Sequence, residues 1–323
     1  MTNQPPQLSR RDALARTGLL LGTTLTGAVA RSAPAAPVPS ATAGPGTFVF
    51  CLNTGTIRGQ KLGLVKEIEV ASAAGYRGFE PWVEAIDEYA KSGGSLKDLR
   101  QRLRDSGLTV ESAIGFPEWV VDDDARRAKG LERAKHDMDL VAQLGGQRLA
   151  APPSGATTVP GLDPVRAAER YRALLELGDQ MGVVPQLEVW GFSKNLNRLS
   201  VCMAVAMETG HPKACVLADV FHLYKGGSPF AGLKQASASA LQVFHLNDYP
   251  TAPPREQIND SYRVFPGDGT APLSQILRDL HTGGGRTVLS LELFNKQYWE
   301  QDALTVAKTG LAKMNAAVAR ALS

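Results

Sequence analysis

The chain has 323 residues, 43% of them hydrophobic, and carries 35 Lys and Arg against 32 Asp and Glu, a formal net charge of +3. No stretch is rich in Lys and Arg, which argues against a nucleic-acid surface, and the apolar content is enough for one sizeable core. Cys51, Cys202 and Cys215 are odd in number and lack zinc-site spacing, so they make no disulfide framework and read as core filler.

Ser9-Arg10-Arg11-Asp12-Ala13-Leu14 is a twin-arginine pattern. A Gly/Ala/Thr-rich apolar stretch follows over residues 19–30, and Ala33-Pro34-Ala35 is a small-x-small cleavage pattern. Residues 1–35 therefore read as a Tat signal, removed on export to the periplasm or beyond. The apolar stretch is too short to span a bilayer comfortably, so no stable membrane anchor is expected. Residues 36–46 are a Pro/Ala/Ser/Gly linker. What remains, 47–323, is close to the ~250 residues of a single (β/α)8 barrel.

Strands and helices alternate from there on. A strand is predicted over 47–52, a helix over 62–74, a strand over 78–82 and a helix over 96–106. The third strand covers 108–114, a long helix 124–144, the fourth strand 147–151 and its helix 164–181. In the second half, strand five ends at Glu188 and is followed by a helix near 196–209. Strand six ends at Asp219, with a shorter helix near 230–239. Strand seven ends at His245, and after a long loop comes a helix over 273–282. Strand eight ends at Glu292, and a helix over 302–322 closes the chain. Gly75, Gly107 and Gly182 stand where helix C-caps are expected. Alternation implies a parallel sheet, and eight repeats imply an α/β fold closed as a (β/α)8 TIM barrel. No Gly-x-Gly-x-x-Gly follows the first strand, which disfavours a dinucleotide fold.

The chemistry sits at the strand ends. Glu188, Asp219, His245 and Glu292 each terminate a short apolar run, where an ionisable group is costly unless paired or coordinated. Any one of them has a bland reading as a salt-bridged or core residue. Three carboxylates and an imidazole converging at one rim would suit a divalent cation. Aromatic residues supply walls for a pocket: Trp82 beside Glu80, Phe116 and Trp119 after strand three, Trp190 after Glu188, and Trp299. Lys225-Gly226-Gly227-Ser228 is either an ordinary turn or an anion cradle. The loop 249–262 is long enough to fold over the site, with Asp248, Arg255 and Asp260 available to brace it.

Five segments in order now carry a resemblance: Leu187-Glu188-Val189-Trp190-Gly191, Asp219-Val220-Phe221-His222, Phe244-His245-Leu246-Asn247-Asp248, Arg263-Val264-Phe265-Pro266-Gly267-Asp268-Gly269 and Ser290-Leu291-Glu292-Leu293-Phe294. From Phe48 to the C-terminus the chain resembles the xylose-isomerase-like barrel family of sugar (phosphate) isomerases and epimerases. The resemblance implies that Glu188, Asp219, His245 and Glu292 bind one divalent metal, Mn first and Mg, Co or Zn next. It implies that Glu188 and Glu292 also transfer protons, and that His222 and Arg263 contact substrate oxygens. Trp82 and Trp190 are the aromatic residues expected against the substrate.

The expected activity is isomerisation or epimerisation of a keto sugar or related polyol ketone by α-proton abstraction. The alternative is a lyase or dehydratase on the same site, acting on a 3-keto-glycoside or inosose. The expected partner is a small carbohydrate, with homo-oligomerisation left open. Lys194 departs from the ketose 3-epimerase pattern, which has a second glutamate six positions after the first. A three-zinc abasic-site endonuclease would need histidines near Glu80 and Ala113, and none of the five histidines is there. A non-catalytic sugar-binding barrel would not need the intact pair of proton-transfer carboxylates.

Overall fold

The computed structural model describes residues 47–323. The residues read as a Tat signal and as a linker lie outside the described residues. Eight strands form one parallel sheet: β1 Thr47–Asn53, β2 Gly78–Glu80, β3 Thr109–Val110, β4 Arg148–Ala151, β5 Val184–Glu188, β6 Val216–Asp219, β7 Val243–Leu246 and β8 Arg286–Leu291. Their order is β3-β2-β1-β8-β7-β6-β5-β4. The seam between β3 and β4 is closed by Ala113, whose N–H donates to Arg148 O at 3.1 Å and whose carbonyl accepts from Ala150 N at 2.8 Å. The fold is the expected TIM barrel.

Side-chain alternation explains where the polar residues fall. Successive residues of a strand face opposite sides of the sheet. Cys51, Ile114, Ala150, Leu217, Val243 and Val288 form a compact apolar cluster of their own. Counting two residues forward from Cys51, Leu217 and Val243 gives Asn53, Asp219 and His245, on the same face one layer higher. From Val288, two steps give Ser290 and four give Glu292. One layer lower lie Arg148 and Arg286, and both pair with Glu111. An apolar plug thus separates a structural ion-pair layer at the N-terminal ends of the strands from the polar layer at their C-terminal ends. In a TIM barrel that upper face carries the chemistry.

Most expected helices are present, with Leu64–Ala74, Pro164–Met181 and Leu273–Thr282 close to their predicted bounds. Gly75 (φ 99°), Gly107 (φ 69°) and Gly182 (φ 69°) adopt the left-handed conformation that ends a helix before a strand. Four segments differ from expectation. A helix Val83–Lys91 follows β2 directly, and another, Val220–Gly226, follows β6 without a loop. The helix expected over 230–239 is a 3-10 segment, Phe230–Gln235. The third strand is regular over two residues only; beyond it Ala113 pairs with β4, while Ile114 N–H donates to Pro81 O at 3.0 Å and bridges Trp82 beyond the end of β2. No helix among the described residues is long and apolar enough to cross a membrane.

Glu67, on the helix Leu64–Ala74, is 8% exposed, and its Oε2 has no hydrogen-bond partner. Burial raises its carboxyl pKa from 4.5 to about 7, with Arg58 opposing the shift. A carboxyl whose folded pKa is raised keeps its proton longer in the folded state. The destabilisation is absent below the unfolded pKa and is complete once pH exceeds the folded one. Glu67→Gln should therefore match the wild type in urea unfolding at pH 4 and exceed it by about 2–3 kcal/mol at pH 8. An equal difference at both pH values would refute this account.

Candidate active site

Four neighbouring strands bring the acid–imidazole cluster together. Asp219 pairs in register with His245, and His245 with Ser290. Glu292 stands immediately after β8 and Glu188 at the end of β5. Ligand atoms of Asp219, His245 and Glu292 lie within 4.8 Å of one another. His245 Nδ1 is 3.0 Å from Glu292 Oε2 and 3.7 Å from Asp219 Oδ2. Its Nε2 is 3.1 Å from Glu80 Oε2. Neither ring nitrogen is aligned for a hydrogen bond, despite these close carboxylates. Glu188 stands outside the three-residue group. It is 3% exposed, and its Oε2 is without a partner.

Arg263 ties the cluster together. Its Nη1 donates to Asp219 Oδ2 at 2.7 Å and to Glu292 Oε2 at 2.8 Å. Its Nη2 and Nε reach Asp260 Oδ1 at 2.6 and 3.0 Å, and Nη2 is 3.2 Å from His222 Nε2. The guanidinium lies over the rings of Phe221 and Phe294, at 4.8 and 5.1 Å. His222 is placed by Asp219, which caps the helix Val220–Gly226 by accepting from His222 N at 2.9 Å. Asn247 Nδ2 donates to the other oxygen of Asp219 at 3.1 Å.

These contacts set the charges. Burial would raise the Asp219 carboxyl, but the Arg263 guanidinium overrides it and holds the group far below the usual range. Burial would lower the His245 imidazole, yet the Glu292 and Glu80 carboxylates raise it well above its ordinary value. Burial, with Arg263 adding to it, lowers His222. Burial, reinforced by Glu292 and Asp219, drives Glu188 well above the carboxylate range. Two acids at one rim are thereby pushed in opposite directions.

A cavity of about 280 Å³ opens on this cluster, lined by Glu188, His222, Arg263 and Glu292 together with Trp82 and Trp190. All six residues expected on sequence grounds at the catalytic and substrate positions therefore meet in one pocket, with Asp219 and His245 buried beside it. Trp299 and Phe116 also line it. Trp119 does not: it is fully buried, donates from Nε1 to Pro152 O at 2.8 Å and packs on Tyr171. Lys194 is exposed. The Lys225–Ser228 segment is an ordinary helix end, because Gly227 and Ser228 N–H donate to Tyr224 and Leu223 carbonyls and cannot cradle an anion.

The loop 249–262 reaches the cavity through Asp260 and Ser261. Its bracing differs from expectation. Asp260 holds Arg263, while Arg255 lies 3.7 Å from its neighbour Glu256. Asp248 accepts instead from the backbone N–H groups of Tyr249, Gly267, Gly269 and Ala271.

Sequence reasoning missed a supporting layer. Glu80 is fully buried and accepts from Ser290 Oγ at 2.6 Å and Asn53 Nδ2 at 2.9 Å, in addition to its contact with His245. Asn53 Nδ2 also donates to Glu292 Oε1 at 3.1 Å, and Asn53 Oδ1 accepts from Trp82 Nε1 at 3.2 Å. The signal was present in the sequence, since Asn53 and Glu80 also end apolar strand runs.

Residues 68–317 match the xylose isomerase-like TIM barrel family, and the chain belongs to it. It is 24% identical over 275 residues to the inosose isomerase of Bacillus velezensis, covering 84% of this chain and 97% of that one. It is 25% identical over 253 residues to the 3-dehydroshikimate dehydratase of Pseudomonas putida, covering 78% of this chain but only 39% of that longer protein. Among solved structures, an IolI protein with a bound zinc atom superposes with a TM-score of 0.78 at 22% identity, over 84% of this chain and 98% of that one.

Removing Glu80 breaks a buried ion pair and leaves the Ser290 hydroxyl and one N–H of Asn53 unsatisfied. Glu80→Ala should destabilise the chelator-treated protein by about 3–5 kcal/mol in urea unfolding. A loss below about 1 kcal/mol would show that Glu80 does not hold His245.

Proposed function

We propose that this chain is a divalent-metal-dependent isomerase or epimerase of a keto sugar or related polyol ketone. The supporting observation is the pair Glu188 and Glu292. They come from strands that are not neighbours and line one cavity together with Arg263 and His222. Two carboxyl groups on different sides of one substrate are what proton removal and return at carbon require.

The donor set fits a hard divalent ion. Asp219, His245 and Glu292 present converging atoms, both nitrogens of His245 lack aligned partners, and Glu188 keeps a buried oxygen free. Those four residues would hold the metal, for which our choice is Mn, with Mg, Co or Zn as alternatives. When bound, such an ion polarises the substrate carbonyl and makes the neighbouring C–H more acidic. Arg263 brings fixed positive charge to the same oxygens, and neutral His222 offers a further polar contact. One carboxyl removes the α-proton and the other returns it. Glu80 and Asn53 hold His245 and Glu292 in place while this occurs. The Tat pattern at the N-terminus makes export part of the same proposal.

A second reading, elimination of water or an aglycone after the same proton abstraction, is favoured by the match to a dehydratase. Product analysis separates the two readings.

The primary test incubates metal-loaded protein with ketoses, inososes and 3-keto-glycosides in deuterated water. We expect deuterium at one carbon α to the ketone, and a loss of at least ~100-fold in exchange rate in Glu292→Gln. Wild-type exchange in a metal-loaded Glu292→Gln sample would reject its role. Asp219→Ala should lose the metal by elemental analysis, and retention would reject the ligand set. For Arg263→Ala and His222→Ala, kcat should fall more than KM rises, with Arg263 showing the larger effect, about 100-fold. A change confined to KM would assign the residue to ground-state binding.

A further inference from the structure

The cavity has two chemically different halves. The ionised residues come from β5 to β8: Glu188, Asp219, His245, Glu292, and Arg263 after β7. One wall is aromatic: Trp82 and Phe116 rise after β2 and β3, which the barrel order places across from β6 and β7, and Phe294 and Trp190 join them from the loops after β8 and β5. There Trp82 packs on Phe116, with centroids 5.4 Å apart and planes at 46°. Phe294 meets Trp82 edge-on at 6.0 Å, and Trp190 meets Phe116 edge-on at 6.3 Å. Phe116 remains 44% exposed, a large ring with uncovered surface at a cavity mouth.

The rings of Trp82, Phe116, Phe294 and Trp299 have little to offer a hydroxyl group. The indole N–H of Trp82 is used on Asn53 Oδ1 and that of Trp299 on Gly55 O, both at 3.2 Å. Phe116 and Phe294 have no polar atoms. A free polyol bears a hydroxyl on nearly every carbon, and each one turned toward these rings would lose water without gaining a partner. The C–H face of one sugar ring stacks on one flat ring. Here the rings meet at steep angles and form a concave corner, which suits a second planar group.

We infer that the cavity takes a two-part substrate: a polyol ketone head against Glu188, Arg263 and Glu292, and a planar apolar substituent resting against the open surface of Trp82, Phe116 and Phe294. The inference rests on the proton-transfer reading for the head and adds a subsite for the substituent. It predicts that a bare ketose is a poor substrate and that an aryl-substituted sugar ketone is a good one.

The test uses the full chain loaded with Mn and a pair of C-glycosyl 3-ketones that differ only in a methyl or a phenyl substituent, the carbon link blocking elimination. Dissociation constants are measured by equilibrium dialysis, and α-proton exchange in deuterated water by mass spectrometry. The phenyl ligand should bind at least about tenfold more tightly than the methyl one. Phe116→Ala, at a half-exposed position where folding is not at stake, should weaken phenyl binding at least about fivefold more than methyl binding. A preference under twofold, an equal effect of Phe116→Ala on both ligands, or no binding of either overturns the subsite. Phenyl preference without deuterium incorporation from either ligand upholds the subsite and removes the proton-transfer reading. Incorporation from both without preference does the reverse.

Discussion

Arg263 is the constraint around which the upper face is organised. Asp219 and Glu292 converge at a largely buried point, where two negative charges repel and each loses most of its hydration. One guanidinium nitrogen donates to both. The rest of the group is fixed by Asp260 on one edge and by the rings of Phe221 and Phe294 on its faces. A buried carboxylate pair is tolerated only with such compensation. Arginine suits the place better than lysine because its planar fork serves several acceptors and its face stacks on aromatic rings.

That dependence links the cluster to the loop 249–262. Asp260 belongs to the loop and Arg263 follows directly after it. The strand end at Asp248 pairs with Val264, and the Asp248 carboxylate gathers four backbone N–H groups from the loop and the turn beyond it. Tyr249 stacks on Tyr224 at 3.8 Å, and Lys225 Nζ donates to the carbonyls of Arg255 and Glu256. The loop is therefore anchored at both ends and along its side. A change in its position would be felt first at Arg263, and through Arg263 at Asp219 and Glu292.

The lower layers explain why such a cluster can be maintained. Small and branched side chains plug the barrel below it, and Arg148, Arg286 and Glu111 close the far end. Glu80 and Asn53 add a second set of contacts on the side of β1 and β2, where they constrain His245 and Glu292 from behind. The carboxyls of Glu188 and Glu292 thus differ in environment although both line one cavity. Glu292 is met by Arg263 and Asn53, whereas Glu188 keeps an unpartnered oxygen.

The strand ends were legible in the sequence because an ionisable residue closing an apolar run is conspicuous by cost. That logic identified Glu188, Asp219, His245 and Glu292, and the alternation of strands and helices identified the barrel. It could not separate Trp119, buried under a loop, from Phe116, which lines the cavity, since both follow the same strand with the same composition. Nor could it show that Asp260 holds Arg263, or that Glu80 stands behind His245. Local pattern determines which face of an element a residue occupies. Which residues meet across the barrel is decided by strand register, closure at Ala113 and the path of the long loop. Those depend on contacts between residues distant along the chain, such as Asn53 with Glu292 and Glu80 with Ser290, and only the folded structure brings them together.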